Sequence, residues 1–431
     1  MNNSVSQELL KFLQKSPTAF HAVQQMKSEL LAVDFTELKE NQRWNIECGK
    51  HYFVTRNDSS LIAFTIPENG IDKMHILTSH SDSPTFKIKE NPEIEVEKHY
   101  VKLNVEKYGG MLCAPWFDRP LSVAGRVIIK DKTNGQFTSK LVNIDRDLVM
   151  IPNLAIHMNR EINSGYNYNA QKDLLPLYGC GSPKGTFMEQ IAEAAGVEKD
   201  EILGHDLFLY NRQEGSIWGA SEEFISSGRL DDLQCAFASL QGFLSGEKKD
   251  CMAVHCVLDN EEVGSGTKQG AASTFLFDTL IRVHEALGYD GEDYRVHLAD
   301  SFMISADNAH AVHPNYQDKT DPTNRPYINE GIVLKYNASQ KYTTDANSAA
   351  LVKYLCKKEG INCQVFFNRS DMLGGSTLGN ILTGQVSIKA ADIGLPQLSM
   401  HSTYETAGCK DIEDMITLMR SFYQLGKEVQ I

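Results

Sequence analysis

From residue 221 to the C-terminus, helical segments alternate with short apolar strands. The predicted helices are residues 232–244, 271–287, 345–359 and 411–426, and the strands between them read VHCVLD, FMISAD, IVLKY, CQVFF and VSIKA. Such alternation is typical of an α/β layer, in which helices cover a largely parallel sheet. We therefore expect a mixed, largely parallel sheet flanked by helices.

The first half of the chain has a different pattern. Residues 5–14 have helical periodicity, and residues 60–66 and 74–79 are short apolar runs of strand type. Residues 86–150 alternate apolar and polar side chains between Gly-Gly and Asn-Gly turns, which predicts an antiparallel sheet. Residues 185–197 predict a further helix.

The simplest division is an α/β domain that a second domain interrupts. The α/β domain would combine residues 1–86 with residues 221–431, and a β-rich insertion would occupy residues 87–220. A length of 431 residues agrees with this division, because chains of this size form about two or three domains.

Composition excludes several classes of partner. The formal net charge of −14 argues against nucleic acid, which clustered Lys and Arg bind. We expect no membrane span, because no run of about 18 apolar residues occurs. The N-terminus predicts an amphipathic helix rather than a signal peptide, so we expect a cytoplasmic protein. The nine cysteines are scattered without a CxxC pair, which argues against a disulfide framework or a thiolate zinc site.

Acids and histidines follow the predicted strands or begin the helices. They occur in MHILTSHSDSP, GRLDDLQCAF, VHCVLDNEEVGSG, FMISADNAHAVHP and LPQLSMHSTYETAG. Ligands bind at the carboxyl ends of strands in open α/β sheets, so we expect these five segments to lie close together.

The first two segments have both ordinary and functional interpretations. His80 and Asp82 are two residues apart in extended chain, where side chains face the same way. One can bind a metal while the other orients it, or the pair can be a satisfied histidine and a capping aspartate. Asp231 and Asp232 open a helix, where aspartate is favoured as a cap. A carboxylate there could also bridge two metals.

Glu261 and Glu262 follow a buried strand directly. Adjacent residues in a strand face opposite sides, so both can serve one site only if the strand breaks, and Gly264 and Gly266 allow such a break. One glutamate suits a metal ligand and the other a general base. The glycines do not form a phosphate loop, because GxxxxGK[ST] is absent.

Asp307, His310 and His313 follow another apolar strand, and His401 lies near the C-terminus. Each histidine alone is more often structural than a ligand. Taken together, the five segments offer histidines and several carboxylates without thiolates, which suits a hydrolytic two-metal site better than a structural one.

These motifs resemble a known family. HSDSP, RLDDL, NEEVGS, SADNAHAVHPN and SMHS occur in the order found in the aspartyl aminopeptidase and aminopeptidase I family of co-catalytic metallopeptidases. SPTAFHAV, NLAIHMNR and the GGST segment at residues 374–377 are also similar to family signatures. The resemblance covers almost the whole chain.

The resemblance implies a ligand set and an assembly. The metal ligands would be His80, Asp231, Glu262, Asp307 and His401. Asp231 would bridge the two ions, whereas Asp232 stands at a variable position of the family motif. The ions would be two divalent metals per subunit, zinc before cobalt or manganese. The family forms large homo-oligomers, often dodecamers, in which the insertion is the dimerisation domain and His157 would reach a neighbouring subunit's site.

The resemblance also implies a reaction. Two cations would activate a water, Glu261 would be the general base, and Asp82 would orient His80. A metal and nearby carboxylates would hold the free α-amine of a peptide, so the product would be its N-terminal residue.

Substrate preference is a separate question. Lys335 lies where the family has a basic residue near the first side-chain pocket, which favours acidic N-terminal residues; its ordinary interpretation is a solvated lysine at a strand end. Gly374 and Gly375 would border the same pocket, but SDMLGGSTLG departs from the cysteine-containing version of the animal aspartyl enzymes. Neutral-residue preference therefore stays open. The competing functions are a related dinuclear deacylase or carboxypeptidase and a non-catalytic shell or cargo-binding relative.

Overall fold

The computed structural model describes residues 3–181, 183–246, 248 and 251–426. The helices are α1 Ser4–Lys15, α2 Ala19–Leu31, α3 Phe187–Ala195, α4 Leu230–Ser245, α5 Phe275–Ala286, α6 Gly291–Ala299, α7 Ala346–Glu359, α8 Leu378–Gln385 and α9 Cys409–Tyr423. Short 3-10 turns occur at Ala114–Trp116, Lys199–Glu201, Glu261–Val263 and Gln317–Lys319.

The strands run along the whole chain. They are β1 Thr36–Leu38, β2 His51–Arg56, β3 Ser60–Thr65, β4 Met74–His80, β5 Thr85–Val96, β6 Tyr100–Tyr108, β7 Leu121–Lys130, β8 Phe137–Asn143, β9 Leu177–Cys180 and β10 Ile202–Asn211. They continue with β11 Ser216–Trp218, β12 Phe224–Ser227, β13 Met252–Leu258, β14 Phe302–Ala306, β15 Ala309–His310, β16 Ile332–Tyr336, β17 Cys363–Phe367, β18 Lys389–Gly394, β19 Pro396–Leu398 and β20 Glu405–Gly408.

A nine-stranded sheet forms the centre of the molecule, in the order β1-β2-β3-β13-β4-β14-β18-β16-β17. Its middle strands β13, β4, β14 and β18 are parallel neighbours, whereas β3 pairs antiparallel with β13 and β16 antiparallel with β18. The prediction of a mixed, largely parallel sheet flanked by helices is confirmed. Because the middle strands are parallel, their carboxyl ends meet at one edge of the sheet.

Helices cover both faces of this sheet. Side chains of α1, α4, α7 and α9 share one apolar core, and side chains of α5 and α8 share the other. Every residue of β4, β13 and β14 is buried, as expected for central parallel strands that helices cover on both faces. The strand predicted at VSIKA begins later than its sequence suggests. The Val386 amide donates to the Leu382 carbonyl and so ends α8, and β18 begins at Lys389.

A six-stranded sheet with its own apolar core is built from β5 to β10, in the order β8-β7-β10-β5-β6-β9. All of its pairings are antiparallel. A smaller five-stranded sheet has the order β11-β12-β20-β19-β15. The domain boundaries at residues 87 and 220 stay a prediction.

In the described part of the chain, no helix is both long and apolar enough to cross a membrane.

Helix α4 carries Asp231 and Asp232 at its start and packs closely on α9. A Cβ atom added at Gly242 would lie 2.5 Å from the Met419 Cβ and 3.1 Å from the Arg420 amide nitrogen. Real Cβ contacts are not this short, so any larger residue at Gly242 must push the two helices apart.

We predict that Gly242→Ala lowers the free energy of unfolding by up to about 2 kcal/mol. Overpacking costs about 1–3 kcal/mol and outweighs the gain of about 1 kcal/mol in helix propensity. Gly384 in α8 is the matched control, because nothing lies within 4 Å of an added Cβ there. Urea unfolding of both variants checks this, and an equal or stabilising effect of Gly242→Ala would contradict the packing argument.

Candidate metal centre

Acids and histidines from five segments meet at the carboxyl edge of the central sheet. His80 is the last residue of β4, and the turn Glu261–Val263 follows β13. Asp307 follows β14, Asp231 lies at the start of α4, and His401 lies in the turn after β19. The expected convergence of the five sequence segments therefore occurs.

Asp231 lies between two histidines. Its Oδ1 is 3.5 Å from His80 Nε2, and its Oδ2 is 3.4 Å from His401 Nε2. His401 Nε2 is also 3.3 Å from Glu262 Oε2. The two oxygens of one buried carboxylate thus face two different histidines.

Three overlapping groups of side chains bring their ligand atoms within 4.8 Å of one another. The groups are His80, Asp231, Asp232 and Asp307; His80, Glu261 and Glu262; and Asp231, Glu262 and His401. All five residues predicted as metal ligands, together with Glu261, belong to at least one group.

Asp231 and Asp232 precede the regular part of α4. Both have non-helical backbone angles, the peptide bond between them is cis, and Arg229 occupies the cap position without a side-chain cap. Their carboxylates face the histidines: Asp231 lies beside His80 and His401, and Asp232 accepts the His80 amide. Asp231 and Asp232 are buried, with 3% and 0% of their surfaces exposed.

The strand β13 breaks at Asn260, whose φ of 63° places it in the left-handed region. Because of this turn, Glu261 and Glu262 both approach His80, although adjacent residues of a regular strand would face opposite sides. From the sequence we expected Gly264 and Gly266 to cause the break. Gly264 does have a φ of 93° and ends the turn, but the turn begins at Asn260.

Asp82 holds this turn and His80 together. Its Oδ1 lies 3.4 Å from His80 Nδ1 and accepts the Glu261 amide at 3.1 Å. Its Oδ2 accepts the Glu262 amide at 3.2 Å. Asp82 is 4% exposed, so these contacts are shielded from water.

The carboxylates exceed the positive charge that surrounds them. Burial raises the pKa of Glu261 to about 8 and raises the pKa of Glu262 and of Asp307 above their ordinary values. Burial alone would lower the pKa of His80, but Asp232, Asp231 and Asp82 raise it well above its usual range. Like charges crowded in a low dielectric retain protons unless a cation replaces them.

Several buried oxygens of this cluster lack a hydrogen-bond partner among the described residues. They are Asp231 Oδ1, Asp232 Oδ1 and Glu262 Oε1. An unpaired buried carboxylate oxygen is costly unless it binds a cation. Oxygen and imidazole ligands without thiolates fit divalent ions such as zinc at a hydrolytic site, so the donor set fits the expected metals.

Lys335 is not the solvated lysine of the ordinary interpretation. It is 2% exposed, its Nζ lies 3.7 Å from Asp307 Oδ1, and it donates to the Asn308 carbonyl at 2.9 Å. The Asp307 charge holds the pKa of Lys335 above its usual range against the effect of burial. This ammonium therefore borders the metal-ligand cluster.

The other residues predicted for substrate binding do not join the cluster within this chain. His157 is exposed in a segment without regular structure, residues 152–176. Gly374 and Gly375 lie between β17 and α8, where a Cβ on Gly374 would meet the Asn368 side chain. His310 and His313 are outside all three ligand groups.

Sequence reasoning missed Asp232 and Glu405. The sequence set Asp232 aside, yet its Oδ2 accepts the His80 amide at 3.0 Å and its carboxylate belongs to the first ligand group. Glu405 accepts the amides of His401 at 2.7 Å and Asp231 at 3.0 Å. Burial, and then Asp231, raise the pKa of Glu405 to about 8. Its place four residues after His401 was the only available signal.

Comparison with known proteins agrees with this geometry. The family model of the aminopeptidase I zinc metalloproteases (M18) matches residues 12–423. A probable M18 family aminopeptidase 2 from Clostridium novyi (strain NT) is 47% identical over 433 residues, which cover 99% of this chain and 100% of the relative.

Solved structures agree as well. Ape4, in its complex with Nbr1, matches with a TM-score of 0.93 and 35% identity over 97% of this chain and 85% of that chain. The mApe1 dodecamer of S. cerevisiae matches with a TM-score of 0.86 and 28% identity over 98% of this chain and 97% of that chain. The resemblance seen in the sequence motifs is confirmed, and the chain belongs to the aminopeptidase I family of zinc metalloproteases (M18).

Proposed function

We propose that this metallo-aminopeptidase binds two divalent cations, zinc in the first place, and removes the N-terminal residue from peptides with a free α-amine. The observation that carries the proposal is the position of Asp231, whose two oxygens face His80 and His401 separately. A carboxylate placed in this way can bridge two metals.

The proposed ligands divide into two sets. His80 and Asp307 would complete one site, and Glu262 and His401 the other, with Asp231 shared between them. When bound, the cations would polarise the scissile carbonyl and lower the pKa of a water molecule. The raised pKa values of the surrounding carboxyls support this assignment, because bound cations would replace those protons.

Glu261 is the proposed general base. It belongs to the same turn as Glu262 and to a ligand group with His80, so its carboxylate could accept a proton from the attacking water and pass it to the leaving amine. Asp82 would fix Glu261 through its backbone amide and orient His80 through the ring Nδ1. The remaining carboxylates would attract the α-amine of the substrate.

We propose a preference for acidic N-terminal residues, with Lys335 as the attracting cation. In the described structure the Lys335 ammonium is paired with Asp307. If a metal took up the Asp307 charge, the ammonium would be left to pair with a substrate carboxylate. Gly374 and Gly375 would border the same pocket, and Gly374 lies against the Asn368 side chain.

We also propose a large homo-oligomer, a dodecamer like the yeast relative. The segment of residues 152–176 supports this, because Leu154, Ile156 and Met158 are 57%, 48% and 74% exposed and lie beside His157. Exposed apolar groups this close together favour a protein interface. In such an assembly the insertion would form the dimer contact, and His157 would reach a neighbouring site.

The first test is a panel of unblocked aminoacyl substrates with N-acetylated controls. We expect cleavage of free-amine Asp and Glu substrates, loss of activity on chelation and recovery with zinc.

Lys335→Met should lower kcat/KM for acidic substrates by about 10- to 100-fold, since a charge-assisted contact contributes about 1.5–3 kcal/mol. It should change kcat/KM for neutral substrates less. Zinc content is measured in parallel because Lys335 contacts Asp307. Activity on N-acetylated substrates alone would favour a deacylase or carboxypeptidase.

The second test compares neighbouring glutamates. Glu261→Gln should lower kcat by about 10²–10⁴-fold, the usual contribution of a general base, while zinc binding stays near the wild-type level. Glu262→Gln is the matched control and should lose zinc along with activity. Metal analysis by mass spectrometry separates the two outcomes. Loss of zinc in Glu261→Gln would show that the base has been wrongly assigned.

The third test concerns assembly. Sedimentation of the wild-type protein should give a particle about twelve times the chain mass of 48.2 kDa. Met158→Glu should yield smaller and less active species, because a charge there would be buried in the contact. Val296→Glu is a control at a similarly exposed apolar position outside the insertion, 60% exposed in α6. A monomeric wild-type protein with full activity would refute the proposed assembly.

A further inference from the structure

One side chain of the six-stranded sheet reaches the metal-ligand cluster. Tyr108, the last residue of β6, donates its hydroxyl hydrogen to Asp82 Oδ2 at 2.7 Å. The same hydroxyl oxygen accepts a hydrogen bond from Asn260 Nδ2, also at 2.7 Å. Tyr108 therefore joins the loop after β4 to the loop after β13.

These two loops carry the groups of the proposed reaction. Asp82 contacts the ring of His80 and the amides of Glu261 and Glu262. Asn260 is the left-handed residue at which the glutamate turn begins. A group that fixes both Asp82 and Asn260 also fixes the direction of the turn between them.

Asn260 is itself held from the other side. Its Oδ1 accepts hydrogen bonds from Thr267 Oγ1 and Gln269 Nε2, both at 2.8 Å. Its Nδ2 donates to the Tyr108 hydroxyl, so both ends of the Asn260 side-chain amide are hydrogen-bonded to other side chains. The network thus runs from the loop after β13 through Asn260 and Tyr108 to Asp82, with no exposed charged group in the path.

The chain that follows Tyr108 stays against the same cluster. Gly109 has a φ of 78°, and a Cβ added there would lie 3.2 Å from both the Cβ and the carbonyl oxygen of Glu262. Further along, the Leu112 amide donates to the His401 carbonyl at 3.1 Å. Residues 108–112, which we call the YGGML segment, therefore contact the loops of His80, Glu262 and His401 in turn.

We propose that Tyr108 is a positioning residue of the metal centre, through which the six-stranded sheet fixes the Asp82 carboxylate and the Glu261–Glu262 turn. The proposal rests on the proposed aminopeptidase function, for which it supplies the support of the base and of two ligand loops. Tyr108 touches neither substrate nor metal in this scheme. It acts through Asp82 and Asn260.

Removal of the hydroxyl would take one hydrogen bond from the buried Asp82 and one from the partly buried Asn260. Asp82 Oδ2 would keep only the Glu262 amide, and Asn260 Nδ2 would lose its acceptor. Groups that hold metal ligands in place typically affect metal affinity or activity by about 10- to 100-fold when changed. The ring would remain, because Phe can keep the edge contact with Phe208 at 5.6 Å.

The experiment compares two Tyr→Phe variants of the same sheet. Tyr108→Phe should lower kcat about 10- to 100-fold, leave KM within about twofold, and raise the zinc dissociation constant of the metal-depleted protein about tenfold. Tyr178→Phe is the control, because its hydroxyl also bonds two side chains, Thr186 at 2.8 Å and Gln190 at 2.5 Å. Tyr178 lies in the neighbouring strand β9, which pairs with the end of β6 away from Tyr108. The control variant should lose thermal stability without changing kcat or zinc affinity.

Equal effects of the two variants on kcat and zinc affinity would overturn the proposal. A double variant adds a second test: in an Asp82→Asn background, Tyr108→Phe should cost less than about threefold in zinc affinity, because residues in one network are not additive. Full additivity would contradict action through Asp82. If the wild-type protein cleaves no aminoacyl substrate, the proposed function fails, whereas zinc titration of the variants still decides the role of Tyr108.

Discussion

The confinement of several carboxylates to one buried edge is the constraint on which the site depends. Asp231, Asp232 and Asp307 lie beside His80, and Glu261 and Glu262 complete the cluster from the next loop. Burial makes each charge expensive, which is why the pKa values of most of these groups rise and why Lys335 pairs with Asp307. One lysine and two histidines do not balance five acids. The arrangement is stable as ionised carboxylates only with further cations, and the mixed donor set suits zinc.

The fold supplies this confinement through parallel strands. The strands β4, β13 and β14 are buried along their whole length, and the acids of the cluster lie at or just beyond their carboxyl ends. Parallel neighbours end at the same edge, and the acids therefore meet there. Helix α4 adds Asp231 from above the sheet, and its position depends on close packing against α9 at Gly242. The stability of that helix pair and the geometry of the site are consequently linked.

The central sheet and the convergence of the five segments could be predicted from the sequence. Apolar runs followed by acids indicate where strands end, and the end of a strand is visible in the local sequence pattern. The side chain of Asp232 was missed because its approach to His80 depends on non-helical angles in the first residues of α4, which local helix signals conceal. The burial of Lys335 was missed because it depends on Asp307 and Asn308 across the sheet. Position along a strand is predictable from sequence, whereas the partner that a side chain finds on another element is not.

The same distinction explains why the six-stranded sheet matters to the chemistry. The loop after β13 has internal hydrogen bonds around Asn260, and contacts with neighbouring elements fix the direction of its glutamate turn as well. Here Asp82 holds the Glu261 and Glu262 amides, and a tyrosine about 150 positions earlier in the chain than these glutamates holds Asp82. The six-stranded sheet thus places one side chain, Tyr108, within hydrogen-bonding distance of the loop that follows β4. A shift of this sheet would therefore reach the cluster through Asp82 and Asn260, and also through the contacts of Gly109 with Glu262 and of Leu112 with His401.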